Sequence, residues 1–378
     1  MTKILFILHY PPPVHGSSLV GGFIKESKLI NESFECRYIN LGTSASVEEI
    51  GKNPVIKLLR YLSLIWHVKW TLLLFRPDLC YLTISSKGIG FYKDFLIVLL
   101  VRLFGVKRIY HLHNKGFSTR QRKFFDNLLY KTVFKNANVI LLSKYLYPDI
   151  QKYVPEHKIN YCPNGITDVT SRNSISKNKD STPKPEILFL SNLIESKGLF
   201  ILIDALKLIQ ERGYKFHCTI VGDEGDVSVS QLKDRIKLEG LSVYIEVTGK
   251  KYDKEKEFAF SRSDLFAMPT FYHYECMPLV IIEAMHYSLP VVSTFEGAIP
   301  DLVEDGVTGF LVPQRDAVAL ADKLEVLIND SDLRQRMGSA GRARYEAQFT
   351  LERLERRMVD ILNQVAEKKT FGVRKVRV

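Results

Sequence analysis

The sequence predicts an α/β chain built from two doubly wound, Rossmann-like domains. Three observations carry that expectation. Short apolar runs alternate with longer helical patterns along most of the chain, as parallel sheets covered on both faces require. The length, 378 residues, exceeds the size at which a single hydrophobic core stops growing. The alternation also breaks over residues 167–185, where TDVTSRNSISKNKDSTPKP is polar and closes on Pro183 and Pro185. That is a linker composition.

The elements follow in order. The opening Met-Thr-Lys-Ile-Leu-Phe-Ile-Leu has too short an apolar run for a signal peptide, so 4–8 is expected as a buried first strand. Strands are expected at 79–84, 108–113 and 138–142, with helices over 17–30, 55–75, 92–103 and 120–134. After the linker the pattern restarts with strands at 187–190, 216–221, 243–247, 265–268 and 291–293. Helices over 198–211, 230–239, 255–261 and 279–287 separate these strands, and three more near 316–329, 331–347 and 351–366 finish the chain. The expected bounds are 1–166 for an acceptor-binding domain, 167–185 for the linker and 186–349 for a nucleotide-sugar-binding domain. Residues 350–378 are expected as a C-terminal helix and basic tail packing back on the first domain. Ligands belong at the carboxyl ends of the strands, in a cleft that the two domains face.

Charge is unevenly placed. The formal net charge is +11, but residues 1–165 carry 23 Lys/Arg against 10 Asp/Glu and the remainder 30 against 32. A basic half beside a neutral one implies an acidic partner for the first domain, such as anionic lipid or a phosphorylated acceptor. No helix-turn-helix, zinc-finger or RNA-binding signature accompanies the charge, which argues against nucleic acid. Five dispersed cysteines suggest neither a disulfide framework nor a zinc site and fit a reducing, cytoplasmic setting. Two apolar stretches, 55–75 and 91–104, are interrupted by charge and fall short of the ~18–20 apolar residues that span a bilayer. Core packing against a sheet is the first reading of both, and lying on an anionic membrane surface the second.

Candidate chemistry sits where strands should end. The first strand runs into Tyr10-Pro-Pro-Pro-Val-His-Gly-Ser-Ser18, where Gly16 permits close backbone approach and Ser17 or Ser18 is placed to cap a helix. In the second half, 187–190 leads into Ser191-Asn-Leu-Ile-Glu-Ser-Lys-Gly198, with Lys197 near a helix start, where a cation is unfavourable unless an anion is present. Two further strands end in Gly222-Asp-Glu-Gly225 and Thr248-Gly-Lys250. The run Tyr272-His-Tyr-Glu-Cys-Met-Pro-Leu-Val-Ile-Ile-Glu-Ala-Met285 holds Glu275 and Glu283 eight positions apart, with Pro278 before an apolar stretch. Pro favours the first turn of a helix, so Glu275 is expected on the loop leading in and Glu283 about a turn inside. Backbone N–H groups between the acids would then offer a phosphate its seat. Two solvated acids on an amphipathic helix fit the pair equally well by itself.

Together these motifs resemble the retaining family 4 glycosyltransferases of GT-B fold. The resemblance rests on 191–198, Val221-Gly-Asp-Glu-Gly225, the Glu275/Glu283 pair, Pro290-Val-Val-Ser293 and the run from Ala298 to Val312. Pro163-Asn-Gly-Ile166 matches the family's turn before the interdomain linker. It implies that Lys197 pairs with the nucleotide diphosphate, Glu283 holds the ribose and Glu275 contacts the donor sugar. The amides of Met277, Pro278, Leu279 and Val280 form the segment that meets sugar and phosphate, Pro278 itself having no N–H. Asn192, Gly222 and Lys250 complete the implied donor site, Gly16 approaches the diphosphate from the opposing domain, and His113 faces the donor sugar. His111, two residues back in the same strand, points the same way. Two departures stand out: Ser191-Asn192 replaces the family's Gly-Arg, removing one diphosphate cation, and Cys276 replaces the Gly after the first acid.

The implied chemistry is transfer from a nucleotide-diphosphate sugar to a saccharide acceptor, lipid-linked through polyprenyl diphosphate, with no cofactor and no metal. The Asp330-Ser-Asp332 run lies between helices, where Ser331 or Asp332 is expected as a cap rather than a metal ligand. The setting implied is cytoplasmic, at the inner face of the cell membrane. A nucleotide-sugar epimerase of the same fold and a non-catalytic nucleotide- or carbohydrate-binding protein remain as alternatives. A dinucleotide-dependent oxidoreductase is disfavoured, because Pro-Pro-Pro-Val-His-Gly stands where Gly-x-Gly-x-x-Gly belongs.

Overall fold

The computed structural model describes residues 1–12, 14, 16–42, 54–168 and 184–367. Most of the predicted linker, the basic tail, Pro13 and His15 lie outside the described residues. The chain divides into two compact units: residues 1–164 with the C-terminal segment from 352, and residues 165–351.

In the first unit β1 (Lys3–Leu8), β2 (Glu35–Asn40), β3 (Leu79–Thr83), β4 (Lys107–Leu112), β5 (Asn138–Leu141) and β6 (Ile159–Tyr161) form a parallel sheet. Their order is β2-β1-β3-β4-β5-β6. Central strands such as β3 are buried on both faces, which is why they read as unbroken apolar runs. The edge strands β2 and β6 escaped prediction for the same reason: Glu35 and Arg37 face solvent, Ile39 alone of β2 is buried, and β6 has three residues. Six helices accompany this sheet, α1 (Gly16–Glu26), α2 (Lys28–Ser33), α3 (Pro54–Phe75), α4 (Gly88–Leu103), α5 (Phe117–Arg120) and α6 (Phe124–Phe134). The single helix expected over 17–30 is two, because Ser27 turns extended and its Oγ accepts from Ile30 N at 3.2 Å as a cap. Since α1 begins at Gly16, Ser17 and Ser18 lie inside its first turn rather than capping it.

The core-packing reading of α3 holds for one stripe only. Tyr61, Val68, Leu72 and Phe75 form one buried stripe, while most of the helix's large apolar side chains face outward. By length and composition this helix is apolar enough to cross a membrane, with 22% of the tested window buried.

The second unit is a parallel sheet of β7 (Glu186–Leu190), β8 (His217–Val221), β9 (Ile245–Gly249), β10 (Leu265–Met268), β11 (Val291–Thr294) and β12 (Gly309–Val312). The order β12-β11-β10-β7-β8-β9 reverses between β7 and β10, the topological switch point where doubly wound sheets bind ligands. Its helices are α7 (Leu199–Glu211), α8 (Val229–Leu238), α9 (Asp253–Arg262), α10 (Leu279–His286), α11 (Ile299–Leu302), α12 (Ala317–Asn329) and α13 (Ser331–Gln348). Ser228 and Gln231 close a capping box on α8, and Asp316 caps α12. Asp330 itself caps α13, accepting from Leu333 N at 2.7 Å, where Ser331 or Asp332 had been expected.

The last helix, α14 (Leu351–Glu367), buries Leu354, Met358, Ile361, Leu362 and Val365 at helical spacing. It is held to the first unit where Lys107 Nζ donates to the Ala366 carbonyl at 2.6 Å.

Candidate functional site

Two charged side chains meet at the switch point of the second unit. Lys197 comes from the turn after β7 and Glu275 from the loop after β10, the two strands between which the order reverses. Lys197 Nζ is paired with the Glu275 carboxylate, and both side chains are largely buried. The same Nζ stands 4.7 Å from the centre of the Tyr272 ring.

Backbone contacts hold this pair in place. Phe271 N donates to the Ser196 carbonyl at 2.8 Å, joining the two loops. Gly198 has φ +91°, and a Cβ there would lie 2.2 Å from the Pro269 carbonyl oxygen, so the close approach needs glycine. On the other side, Ala298 N donates to the Cys276 carbonyl at 2.6 Å. A Cβ on Gly297, at φ +56°, would stand 2.4 Å from the Glu275 carbonyl oxygen. Glu275 is thus fixed through its own backbone, on a loop as expected, but buried.

Pro278 adopts φ −69° and ψ 120° and precedes α10 as its N-cap, one position earlier than its predicted place in the first turn. No side chain caps α10, so the dipole's positive end at Leu279 and Val280 is not covered by a capping group. Glu283 lies a turn inside. Its Oε1 accepts from Lys256 Nζ at 2.6 Å, whereas Oε2 is sealed from solvent with no hydrogen-bond partner among the described residues. Burial holds the Glu283 carboxyl above the usual range, against the pull of Lys256. An unsatisfied buried carboxylate oxygen next to a helix start is suited to receiving a hydroxyl donor.

The other residues expected at the donor site are more dispersed. Asn192 is exposed, and Leu193 N donates to the Asp223 carbonyl at 2.8 Å, so the turns after β7 and β8 pack together. Gly222 has a fold reason of its own, since a Cβ there would meet the Ser191 carbonyl oxygen at 1.9 Å. Lys250 follows β9, two strands from the switch point, with its Nζ 3.3 Å from Asp223 Oδ2. Lys256 and Tyr272 were missed: each is recognisable through a tertiary partner, and nothing in the local sequence marks them.

In the first unit His113 directly follows β4, and its ring lies 4.1 Å from that of His111, as their shared face predicts. His111 is fully buried and bonded through Nδ1 to Tyr81 Oη at 2.6 Å; burial, then His113, lowers its pKa well below the ordinary value. Gly16 opens α1 exposed, and a Cβ there would touch nothing within 4 Å. Among the described residues no cluster of three or more His, Cys, Asp or Glu could hold a metal ion.

Residues 171–344 match the family Glycosyl transferases group 1. Among curated proteins the chain is 32% identical to the amylovoran biosynthesis glycosyltransferase AmsK of Erwinia amylovora over 217 residues, 56% of this chain and 52% of that one. It is 30% identical over 163 residues to the capsular polysaccharide biosynthesis glycosyltransferase CapM of Staphylococcus aureus, 43% and 41% of the two chains. The chain thus spans about half the length of these curated relatives. Among solved structures it resembles Anabaena HepE in complex with UDP-glucose, with TM-score 0.74 and 22% identity over 96% of this chain and 100% of that one. A glycosyltransferase from Rickettsia africae ESF-5 gives TM-score 0.71 and 17% identity over 97% and 99%. The chain therefore has the GT-B fold, and the segment that matches the Glycosyl transferases group 1 family falls within its second unit.

Proposed function

We propose that the protein is a retaining, metal-independent glycosyltransferase that moves a hexosyl group from a nucleotide-diphosphate sugar to a saccharide acceptor. The acceptor is lipid-linked, through polyprenyl diphosphate, and the product belongs to surface polysaccharide synthesis at the cytoplasmic face of an anionic membrane. The observation that carries this reading is the Lys197–Glu275 pair at the switch point, directly before the uncapped start of α10 and one turn from Glu283. The matched family, the relatives' roles in amylovoran and capsular polysaccharide synthesis, and UDP-glucose bound to a protein of the same fold support it.

In this reaction the bond from the anomeric carbon to the phosphate oxygen breaks while the acceptor hydroxyl forms a new bond to that carbon. Its proton passes to the departing diphosphate. Negative charge grows on the leaving group, and Lys197 with the α10 amides stabilises it where it develops. Glu283 turns its unpartnered oxygen to the ribose hydroxyls, and Glu275 orients the sugar. Attack from the departing face retains configuration without a covalent intermediate on Glu275. The same reading gives His113 the donor sugar and Gly16, Asn192, Gly222 and Lys250 the nucleotide diphosphate.

The test is a thermal-shift screen against UDP, GDP, ADP, CMP and dTDP and their sugars, followed by transfer assays with Glu275→Gln. Stabilisation by one nucleotide family is expected, since a ligand that binds the folded state raises its melting temperature. Glu275→Gln should lower turnover by roughly a hundredfold or more, the scale of losing one transition-state contact. Normal transfer by that variant would refute the assignment. Isomerised nucleotide sugar without transfer would indicate the epimerase, and binding without turnover the non-catalytic reading.

A further inference from the structure

Helix α3 has three distinct faces. Its buried stripe rests on the first unit, while Leu58, Leu59, Leu62, Trp66, Trp70 and Leu74 are all exposed. At about 100° per residue these six fall on one continuous outward stripe. Trp66 and Trp70 stack edge to face at 5.6 Å, and Lys69 Nζ lies 5.3 Å from the Trp66 ring centre.

The third face lies between these two. Arg60, Ser63, Leu64 and His67, at i, i+3, i+4 and i+7, line one wall of a cavity of about 310 Å³. Tyr10, which follows β1, and Tyr38 and Asn40 of β2 also line it. Among the described residues no acidic side chain lines it, and Lys25 Nζ stands 4.2 Å from the Tyr10 ring centre. A polar, cation-bearing cavity and an exposed apolar stripe therefore share an edge of one helix.

The surrounding charge points to the occupant. From Ile50 to Pro148 the sequence holds 17 Lys/Arg and only Asp78, Asp94 and Asp126 as acids. Asp94 and Asp126 are buried, Asp126 against Arg120, which leaves Asp78 as the one exposed acid of this stretch. An apolar stripe with tryptophans, flanked by cations, complements an anionic bilayer surface. A molecule that fills both features must have an anionic head and an apolar chain.

We propose that the cavity beside α3 binds the phosphate-bearing head of a membrane lipid, the carrier of the acceptor, while the outer stripe of α3 lies in the bilayer interface along its chain. The proposal rests on the lipid-linked acceptor of the proposed function.

The chain supplies its own reporter, since Trp66 and Trp70 are its only tryptophans. Intact protein is titrated with vesicles of phosphatidylcholine, of phosphatidylcholine with phosphatidylglycerol, and of phosphatidylcholine with polyprenyl phosphate at matched charge. Tryptophan emission and co-sedimentation are both read. Anionic vesicles should shift the emission to the blue and bind at least roughly tenfold tighter than neutral ones, as a few basic contacts at about 1 kcal/mol each predict. Polyprenyl phosphate should bind tighter than phosphatidylglycerol. Leu62→Asp should remove binding to every vesicle, and Arg60→Gln with His67→Gln should remove only the polyprenyl preference. These positions are exposed, and unchanged circular dichroism verifies the folding of each variant.

An unmoved emission with all vesicles, or full binding by Leu62→Asp, would overturn the proposal. So would an emission that shifts with protein concentration in the absence of lipid, which would mean that a second copy covers the stripe. Nucleotide stabilisation is measured in parallel. Stabilisation without vesicle binding sinks the lipid site alone; vesicle binding without stabilisation sinks the transferase reading alone.

Discussion

Replacing Lys256 by Met tests whether Glu283 is a charged, paired group in the folded protein. Lys256 Nζ lies 2.6 Å from Glu283 Oε1, and Oε2 has no hydrogen-bond partner among the described residues, so Met would leave an ionised carboxylate poorly compensated. Breaking a fully buried pair in this way costs about 3–5 kcal/mol, and breaking an exposed one about 0–1. The Lys256 and Glu283 side chains are 27% and 22% accessible, which places this pair between the limits, near 2 kcal/mol by those scales. For a unit of this size that corresponds to a fall in Tm of about 4–8 °C. Calorimetry of the whole chain measures it, with tryptophan emission marking the transition of the first unit, where both tryptophans lie. The effect has a pH signature. Burial raises the folded pKa of Glu283, so its ionised form opposes folding and that cost appears as pH rises. Removing Lys256 enlarges the cost, so the Tm deficit should grow from pH 5 to pH 8, and adding Glu283→Gln should restore most of it. An unchanged Tm at pH 8, or a deficit independent of pH, would refute the reasoning.

Three other perturbations separate structure from chemistry. Gly297→Ala forces a non-glycine residue to φ +56° with its Cβ 2.4 Å from the Glu275 carbonyl oxygen. It should cost at least about 1–3 kcal/mol in a melting experiment and weaken nucleotide-sugar binding more than nucleotide binding. Gly16→Ala meets no atom within 4 Å and opens a helix, so Tm should hold or rise slightly while turnover falls if the glycine serves the diphosphate. Asp94 is buried and its pKa is raised by that burial from 3.8 to about 6, so its ionisation destabilises the folded chain between those values. Stability of the first unit should drop by up to about 3 kcal/mol as pH rises through that window, at 1.36 kcal/mol per pH unit, and Asp94→Asn should remove the drop in denaturant titrations.

Central strands were legible because burial on both faces writes itself as a continuous apolar run; β1, β3, β7 and β10 all show it. Edge strands were not. In β2 the sequence Glu-Cys-Arg-Tyr-Ile-Asn alternates polar and half-buried groups, and β12 begins on a glycine. A helix is legible from its period, yet the period does not say which of two apolar faces is covered. This is where α3 misled: its buried stripe and its outward stripe are both apolar, so core packing was as good a sequence reading as exposure. The break at Ser27 was not legible, since a serine inside an amphipathic pattern is also tolerated mid-helix.

The site was legible to the extent that its residues sit beside strand ends, because the sheet order alone carries them together. Glu275 and Lys197 are 78 positions apart, yet β7 and β10 are neighbours, so the loops that follow them must meet. What spacing could not supply is the state of those groups. The sequence suggested a lysine that waits for a phosphate and two acids that wait for hydroxyls, whereas in the folded chain each acid has taken a lysine. This follows from the cost of an isolated buried charge, which a protein avoids by pairing it or by shifting its protonation. On the proposed function, the pairs are the rest state of a site that receives a diphosphate. A bound diphosphate would compete with Glu275 for Lys197, and the released carboxylate would then need a donor of its own. A sugar hydroxyl is such a donor. On this account the acids are more than passive contacts: they couple the arrival of phosphate on the lysine to the capture of hydroxyls on the sugar.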